Sequence, residues 1–158
     1  MKRDFFDYMV EVMRNNPNVY IIFIDLGFPR VDEFLTEFRG RAFTVGASEQ
    51  TACDMAVGFA LSGKIPVLYT IASFYWRGAE TIRTYFNVEN LPCILVGAGV
   101  KEEYGHEDGP SHSATDMPEL FNIFKNFKQH YPDTKEELIT AIDDAISNGK
   151  PNFVNIHR

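Results

Sequence analysis

The sequence predicts a three-layer α/β domain, a mostly parallel six-stranded sheet with helices on both faces. Six apolar strand signals alternate with segments of helical periodicity along the chain, the signature of crossover connections between parallel strands. Several of the strand signals are continuously apolar rather than alternating, as expected of strands covered on both faces. The length of 158 residues fits one such domain at roughly 150 residues per domain.

Phe5, Phe6, Met9, Val12 and Met13 recur at helical spacing, and Asn15-Asn16-Pro17 stops that run. Val19 to Ile24 reads as a buried strand ending at Asp25, followed by a short amphipathic helix from Val31 to Phe38 and a strand from Ala42 to Val45. After Ser48 the segment Ala52 to Leu61 is helical, with Gly63 as its C-terminal cap, and Pro66 opens a strand running to Ile71. A helix from Tyr75 to Val88 leads to the strand Cys93 to Val96. The loop from Gly97 to His112 follows, 16 residues long, in the range where loops of a compact domain tend to carry function. A helix (Met117 to Phe124), a strand (Asn126 to Tyr131), a helix (Lys135 to Ser147) and a last strand (Phe153 to Ile156) complete the chain.

Composition narrows the function. The chain carries 15 Lys+Arg against 22 Asp+Glu, a net charge of −7, and no basic run beyond Lys2-Arg3. A nucleic-acid or anionic-membrane partner is therefore not expected. Cys53 and Cys93 form no C-x-x-C pair, which suits a reducing compartment. No stretch approaches a membrane span, and the first residues lack a signal-peptide apolar region, so a cytoplasmic location is expected.

Familiar motifs fail one by one. Gly97-Ala98-Gly99 opens like a dinucleotide fingerprint, but Glu102 stands where the third glycine belongs. Neither Gly46-Ala47-Ser48-Glu49-Gln50 nor Gly109-Pro110-Ser111-His112-Ser113 completes G-x-S-x-G. The four histidines have no tight ligand spacing, so no metal site is expected in the chain itself.

In parallel sheets ligands gather at the carboxyl ends of strands. Those ends are Asp25 to Arg30, Gly46 to Gln50, Ala72 to Arg77 and the loop after Val96. At Gly46-Ala47-Ser48-Glu49 a strand ends in glycine, Ser48 offers an N-cap, and Glu49 enters the first helical turn at the positive end of the dipole. An ordinary helix start would look the same. Its company distinguishes it: Asp25-Leu26, Gly46-Ala47-Ser48-Glu49-Gln50, the run Gly63 to Phe74, and Asp108-Gly109-Pro110-Ser111-His112. With these, residues 3–158 resemble the pyrimidine-binding domain of transketolases and related thiamine diphosphate enzymes.

The resemblance implies the thiamine diphosphate-binding fold, with residues 1–158 as one pyrimidine-binding domain. It implies that Glu49 is catalytic, hydrogen-bonding N1′ of the cofactor's aminopyrimidine and promoting the imino tautomer that generates the thiazolium ylid. An apolar strand-to-helix corner suits that task, because desolvation favours the neutral acid that shares a proton with the ring. Phe74 matches the aromatic that stacks on the pyrimidine, although core packing would also explain it. Ile71, Arg77 and Asp25 fall at neighbouring cofactor-facing positions. Asp108 and His112 match groups that touch sugar hydroxyls and carbonyl, His112 with a catalytic part, while a solvated turn on Asp108-Gly109-Pro110 would account for the same residues. Arg3 and Arg158 correspond to arginines that hold a substrate phosphate. Gly27-Phe28-Pro29-Arg30 and Val100 depart from the family pattern, which bears on the sugar and not on the cofactor.

The family's second half-site, a Gly-Asp-Gly motif followed by Asn that binds diphosphate and Mg2+, has no counterpart here. The resemblance thus implies a partner subunit supplying the diphosphate-binding domain, in a heterotetramer. The implied activity is transfer of a two-carbon ketol unit between a ketose and an aldose or their phosphates. A 2-oxo-acid decarboxylase subunit and a non-catalytic interaction module of the same fold are the alternatives. The aromatic content of 14% would suit broad subunit interfaces.

Overall fold

A computed structural model describes residues 1–25 and 29–158. Leu26 of the Asp25-Leu26 motif and the departures at Gly27 and Phe28 lie outside the described residues. The elements run α1 (Lys2–Asn15), β1 (Val19–Phe23), α2 (Pro29–Glu37), β2 (Ala42–Thr44), α3 (Glu49–Leu61) and β3 (Ile65–Ile71). A composite helical segment follows, made of a 3-10 stretch (Ala72–Gly78), one α turn, α4 (Ala79–Thr81), and a π-helical stretch (Ile82–Val88). Then come β4 (Cys93–Ala98), the 3-10 turns His106–Asp108 and Pro110–His112, α5 (Met117–Ile123), β5 (Lys128–His130), α6 (Lys135–Ser147) and β6 (Pro151–Ile156).

The six strands form one sheet in the order β2-β1-β3-β4-β6-β5, and all its pairings are parallel. Side chains alternate faces along each strand, so one strand feeds two cores. From β1, Val19, Ile21 and Phe23 join Phe5, Phe6, Met9, Phe34, Leu138 and Ile142 on the face covered by α1, α2 and α6. Ile22 and Ile24 point the other way, to Ala52, Ala56, Tyr75, Phe86 and Phe121 under α3, the composite segment and α5. These two cores absorb most of the aromatic side chains, so the aromatic content chiefly reflects internal packing. Trp76, Tyr85 and Tyr131 are the aromatics with substantial exposure among the described residues.

Four elements differ from the sequence reading. The expected helix from Tyr75 to Val88 is broken because its start is bolted to the sheet: the buried Tyr75 hydroxyl donates to the carbonyls of Leu68 (2.9 Å) and Val96 (3.0 Å). Further along, Asn126 bonds both the side chain and the carbonyl of Asn87, diverting that carbonyl from a regular helical ladder. β4 extends through Gly97 and Ala98, and the two 3-10 turns order much of the supposed loop. β5 shrinks to three residues, because Asn126 is engaged by Asn87 and the Phe127 N–H by the Phe124 carbonyl. Pro151 begins β6 two residues early, a position where a strand needs no proline N–H. Gly63 does adopt the left-handed φ of +73° expected of a residue closing α3.

Candidate functional site

The strand order places a switch point at β1. The chain leaves β1 for β2 on one side and crosses back to β3 on the other, opening a crevice at the carboxyl ends. Asp25 leaves β1 there with φ +48°, an uncommon conformation for a residue with a side chain, and its N–H donates to the Gly46 carbonyl (3.0 Å). That bond ties the end of β1 to the end of β2. Gly46 itself has φ +62°, a turn that glycine makes without steric cost.

Glu49 opens α3 and is only 3% exposed. Ser48 stands at the N-cap position, but its hydroxyl donates to Thr51 Oγ1 (2.7 Å) and caps no backbone N–H. The first turn therefore gains its negative partner from Glu49 rather than from a serine cap. A carboxylate this deeply buried needs a partner, and Arg77 supplies one: its Nη1 donates to Glu49 Oε1 at 2.5 Å.

Phe74, 8% exposed, lies in the 3-10 stretch immediately after β3. The Arg77 guanidinium carbon sits 4.4 Å from its ring centroid, a cation–π contact. The His112 ring meets Phe74 edge-on at 5.1 Å. Ser73 donates its hydroxyl to the Ser111 carbonyl (2.7 Å), holding the Pro110–His112 turn against this stretch. Ser73, Phe74, Arg77, Pro110, Ser111 and Asp116 border a cleft of about 250 Å3. Ile71 ends β3 paired with Ala98, partly exposed at the rim. Glu49, Phe74, Arg77 and His112 thus converge from three separate chain segments.

The phosphate-facing candidates are more dispersed. Arg158 lies over the Tyr104 ring (4.7 Å) and within 3.8 Å of Asp108, while Tyr104 also approaches His112 (5.6 Å between ring centroids). Asp108, Tyr104 and Arg158 therefore lead from His112 toward the chain terminus. Arg3 is exposed in the first turn of α1. Burial, and to a lesser degree the Arg158 charge, pushes the pKa of the neighbouring Lys2 down.

One cluster gave no signal in the sequence. The His157 ring is hydrogen-bonded to Glu103 through Nδ1 and to Asp133 through Nε2 (2.9 Å). These carboxylates push the histidine pKa up, against a smaller effect of burial. Burial pushes the Glu103 carboxyl up, but bonds from His157 and from the backbone N–H groups of Val100 and Arg158 together hold it below its ordinary value. The three residues border a hollow of about 590 Å3, larger than the cleft beside Phe74. The acids address opposite ring nitrogens, so this is a clasp between the β4 loop and the end of β6 rather than a converging ligand set. Only the spatial pairing reveals it, since Glu103, Asp133 and His157 share no sequence motif.

Among solved structures, a split gene transketolase described as an inactive beta4 tetramer superposes with a TM-score of 0.87 at 23% identity, over 99% of this chain and 50% of that one. Transketolase from Leishmania mexicana follows at 0.77 and 20% identity, over 89% and 22%. These likenesses define the class, the α/β fold of transketolase pyrimidine domains. Residues 4–158 match the family described as "Transketolase, pyrimidine binding domain", and the chain belongs to that family. Family membership carries the potential to bind thiamine diphosphate.

Among curated relatives, 1-deoxy-D-xylulose-5-phosphate synthase of Halalkalibacterium halodurans is 33% identical over 98% of this chain and 24% of its own length. The protein of the same name from Syntrophus aciditrophicus is 28% identical over 95% and 23%. A subunit of the apulose-4-phosphate transketolase of Actinobacillus succinogenes is 28% identical over 80% and 41%. The chain thus spans about a quarter of the synthases it matches and two-fifths of that transketolase chain.

Among the described residues, no group of three His, Cys, Asp or Glu is placed to hold a metal ion, and no helix is long and apolar enough to cross a membrane.

Proposed function

We propose that this chain is the pyrimidine-binding subunit of a split, transketolase-like, thiamine diphosphate-dependent enzyme that transfers a two-carbon ketol unit between a ketose and an aldose or their phosphates. The observation that carries the reading is the convergence of Glu49, which opens α3 after β2, and Phe74, which follows β3, on one group between them, the Arg77 guanidinium. A buried carboxylate and a flat apolar face are the two contacts that a planar aminopyrimidine requires, so the residues present fit the cofactor's pyrimidine end. Bound there, thiamine diphosphate supplies the carbon nucleophile that carries the ketol unit.

Glu49 then holds a proton at the pyrimidine ring nitrogen, and Phe74 fixes the plane of the ring. His112, edge-on to Phe74, faces the substrate carbonyl and hydroxyls, with Asp108 binding a hydroxyl. Arg158 and Arg3 receive a phosphate. Asp25, Ile71 and Arg77 border the pyrimidine. The diphosphate and Mg2+ belong to a partner subunit, and two such pairs make a heterotetramer. A relative named as a transketolase subunit supports the split arrangement, and so does a structural neighbour titled a split gene transketolase tetramer.

The test combines the chain with a diphosphate-domain partner, thiamine diphosphate and Mg2+, and follows ketol transfer from a ketose phosphate. Ketol transfer by the mixture, absent from either chain alone, is the expected result. Glu49→Gln should lower turnover roughly 100-fold or more, the scale of a lost proton-transfer group, with thermal unfolding unchanged in form. Wild-type turnover by Glu49→Gln would refute the assignment. Decarboxylation of a 2-oxo acid without ketol transfer would move the chain to the decarboxylase reading.

A further inference from the structure

The Arg77 guanidinium makes both of the contacts that the proposed function reserves for the aminopyrimidine. It donates an in-plane N–H to the buried Glu49 carboxylate (2.5 Å) and lies 4.4 Å from the centroid of the Phe74 ring. A guanidinium and an aminopyrimidine protonated on its ring share a chemistry: planar, delocalised, N–H donors in the plane and a π face above it. Phe74 is 8% exposed and His112 already meets its ring edge-on, which leaves little room for a second stacked group. We propose that Arg77 is a placeholder, which in the free chain occupies the pyrimidine position and must swing out before the cofactor ring can bind. This inference rests on the site reading above and adds a competing state to it.

The physical case has two sides. Without Arg77 the Glu49 charge would be buried and unpaired, a costly state for a chain not yet holding its cofactor. Arg77 is itself 52% exposed and lies on a flexible stem, so its release toward solvent is cheap, and the cleft of about 250 Å3 adjoining it gives it room. The buried acid keeps a partner in both states: the guanidinium before binding and the ring nitrogen after it. A ligand that must displace the arginine binds with an affinity reduced by the fraction of chains in which the site is open.

Thiamine, which carries the aminopyrimidine without the diphosphate, isolates this half-site. Its binding to the full chain can be read by calorimetry and by the fluorescence of Trp76, the only tryptophan and adjacent in sequence to Arg77. Arg77→Ala and Arg77→Gln should each bind thiamine about tenfold more tightly than wild type, the factor for a site open about one-tenth of the time. Their thermal stability should fall without ligand and recover with it. Equal or weaker thiamine binding by both variants, with Glu49→Gln still abolishing it, would overturn the placeholder and leave the site reading standing. No thiamine binding by either variant, or binding that survives Glu49→Gln, would remove the site reading and the placeholder with it.

Discussion

Gly97→Ala tests how tightly the cofactor-facing stretch is seated on the sheet. A methyl at Gly97 would lie 2.7 Å from Ala72 Cβ, 2.9 Å from Ala72 Cα and 3.2 Å from Phe153 Cε2. Carbon pairs rest at about 3.5–4.0 Å, so the backbone at Ala72 must recede by roughly 0.8 Å or more. Phe153 cannot give way easily, being stacked on Phe121 at 3.8 Å with Tyr75 against it. Overpacking of this kind costs about 1–3 kcal/mol. At about 2–4 °C per kcal/mol for a chain of this size, the midpoint should fall by about 2–12 °C. Gly58→Ala is the internal control. That helical position in α3 has nothing within 4 Å of the added methyl, and alanine there should stabilise by about 0.5–1 kcal/mol. Thermal unfolding followed by far-UV circular dichroism reads the midpoints of both, and urea unfolding compared at constant m reads the free energies. A Gly97→Ala midpoint equal to wild type, or both variants moving in the same direction, would refute the packing argument. Because Ala72 begins the stretch carrying Ser73, Phe74 and Arg77, the same substitution should also weaken thiamine binding.

Three further outcomes follow from other parts of the molecule. The His157 pKa is raised above its ordinary 6.5 by Asp133 and Glu103, so its stabilisation is complete below that value and fades as pH rises through the raised one. Glu103, held below its ordinary 4.5, loses its contribution only as the solution becomes more acidic than that. Wild type should therefore lose more stability than His157→Gln from pH 6.5 upward; parallel melting curves would contradict the clasp. Burial pushes the Cys53 thiol up to about 12 and the Cys93 thiol well above its ordinary value, so neither should react with a disulfide reagent until the chain unfolds, and rapid native labelling would exclude this packing. In α6 the Thr134 hydroxyl accepts from the Glu137 N–H while the Glu137 carboxylate accepts from the Thr134 N–H. Thr134→Ala should cost about 0.5–2 kcal/mol in urea unfolding, and an unchanged midpoint would show the cap to be idle.

The sheet was legible because burial on both faces leaves a continuous apolar signal. Val19 to Ile24 shows no alternation because its two sets of side chains enter different cores, Ile21 and Phe23 beside α1 and α6, Ile22 and Ile24 beside α3. α1 was legible for the converse reason, since its single buried stripe of Phe5, Phe6, Met9, Val12 and Met13 repeats at helical spacing. The composite segment was not. Its apolar pattern is that of one helix, but the Tyr75 hydroxyl bonds carbonyls 7 and 21 residues away, Leu68 on β3 and Val96 on β4, and no helical periodicity contains those partners. β5 was legible as a strand but not in its length: the Asn126 N–H and side-chain amide bond Asn87, and the ladder begins only at Lys128.

For the site, the sequence identified the elements but not the pairings among them. Glu49 and Phe74 were marked by the strand ends that they follow, β2 and β3, and the sheet topology sets both of those ends at one edge of the molecule. The state of Glu49 is a different matter. An acid at an apolar corner leads, on its own, to the expectation of a desolvated group awaiting its ring. Arg77 lies 28 positions further along, three residues after Phe74 in the 3-10 course of residues 72–78, where side chains at i and i+3 share a face, and its guanidinium reaches both the Phe74 ring and the carboxylate. A regular helix also sets i beside i+3, so the helical periodicity alone allows Arg77 to reach the Phe74 ring; what it does not contain is the carboxylate of Glu49 on α3. The closure of the site by Arg77 is thus a tertiary pairing between two elements, which no local pattern around either residue could reveal.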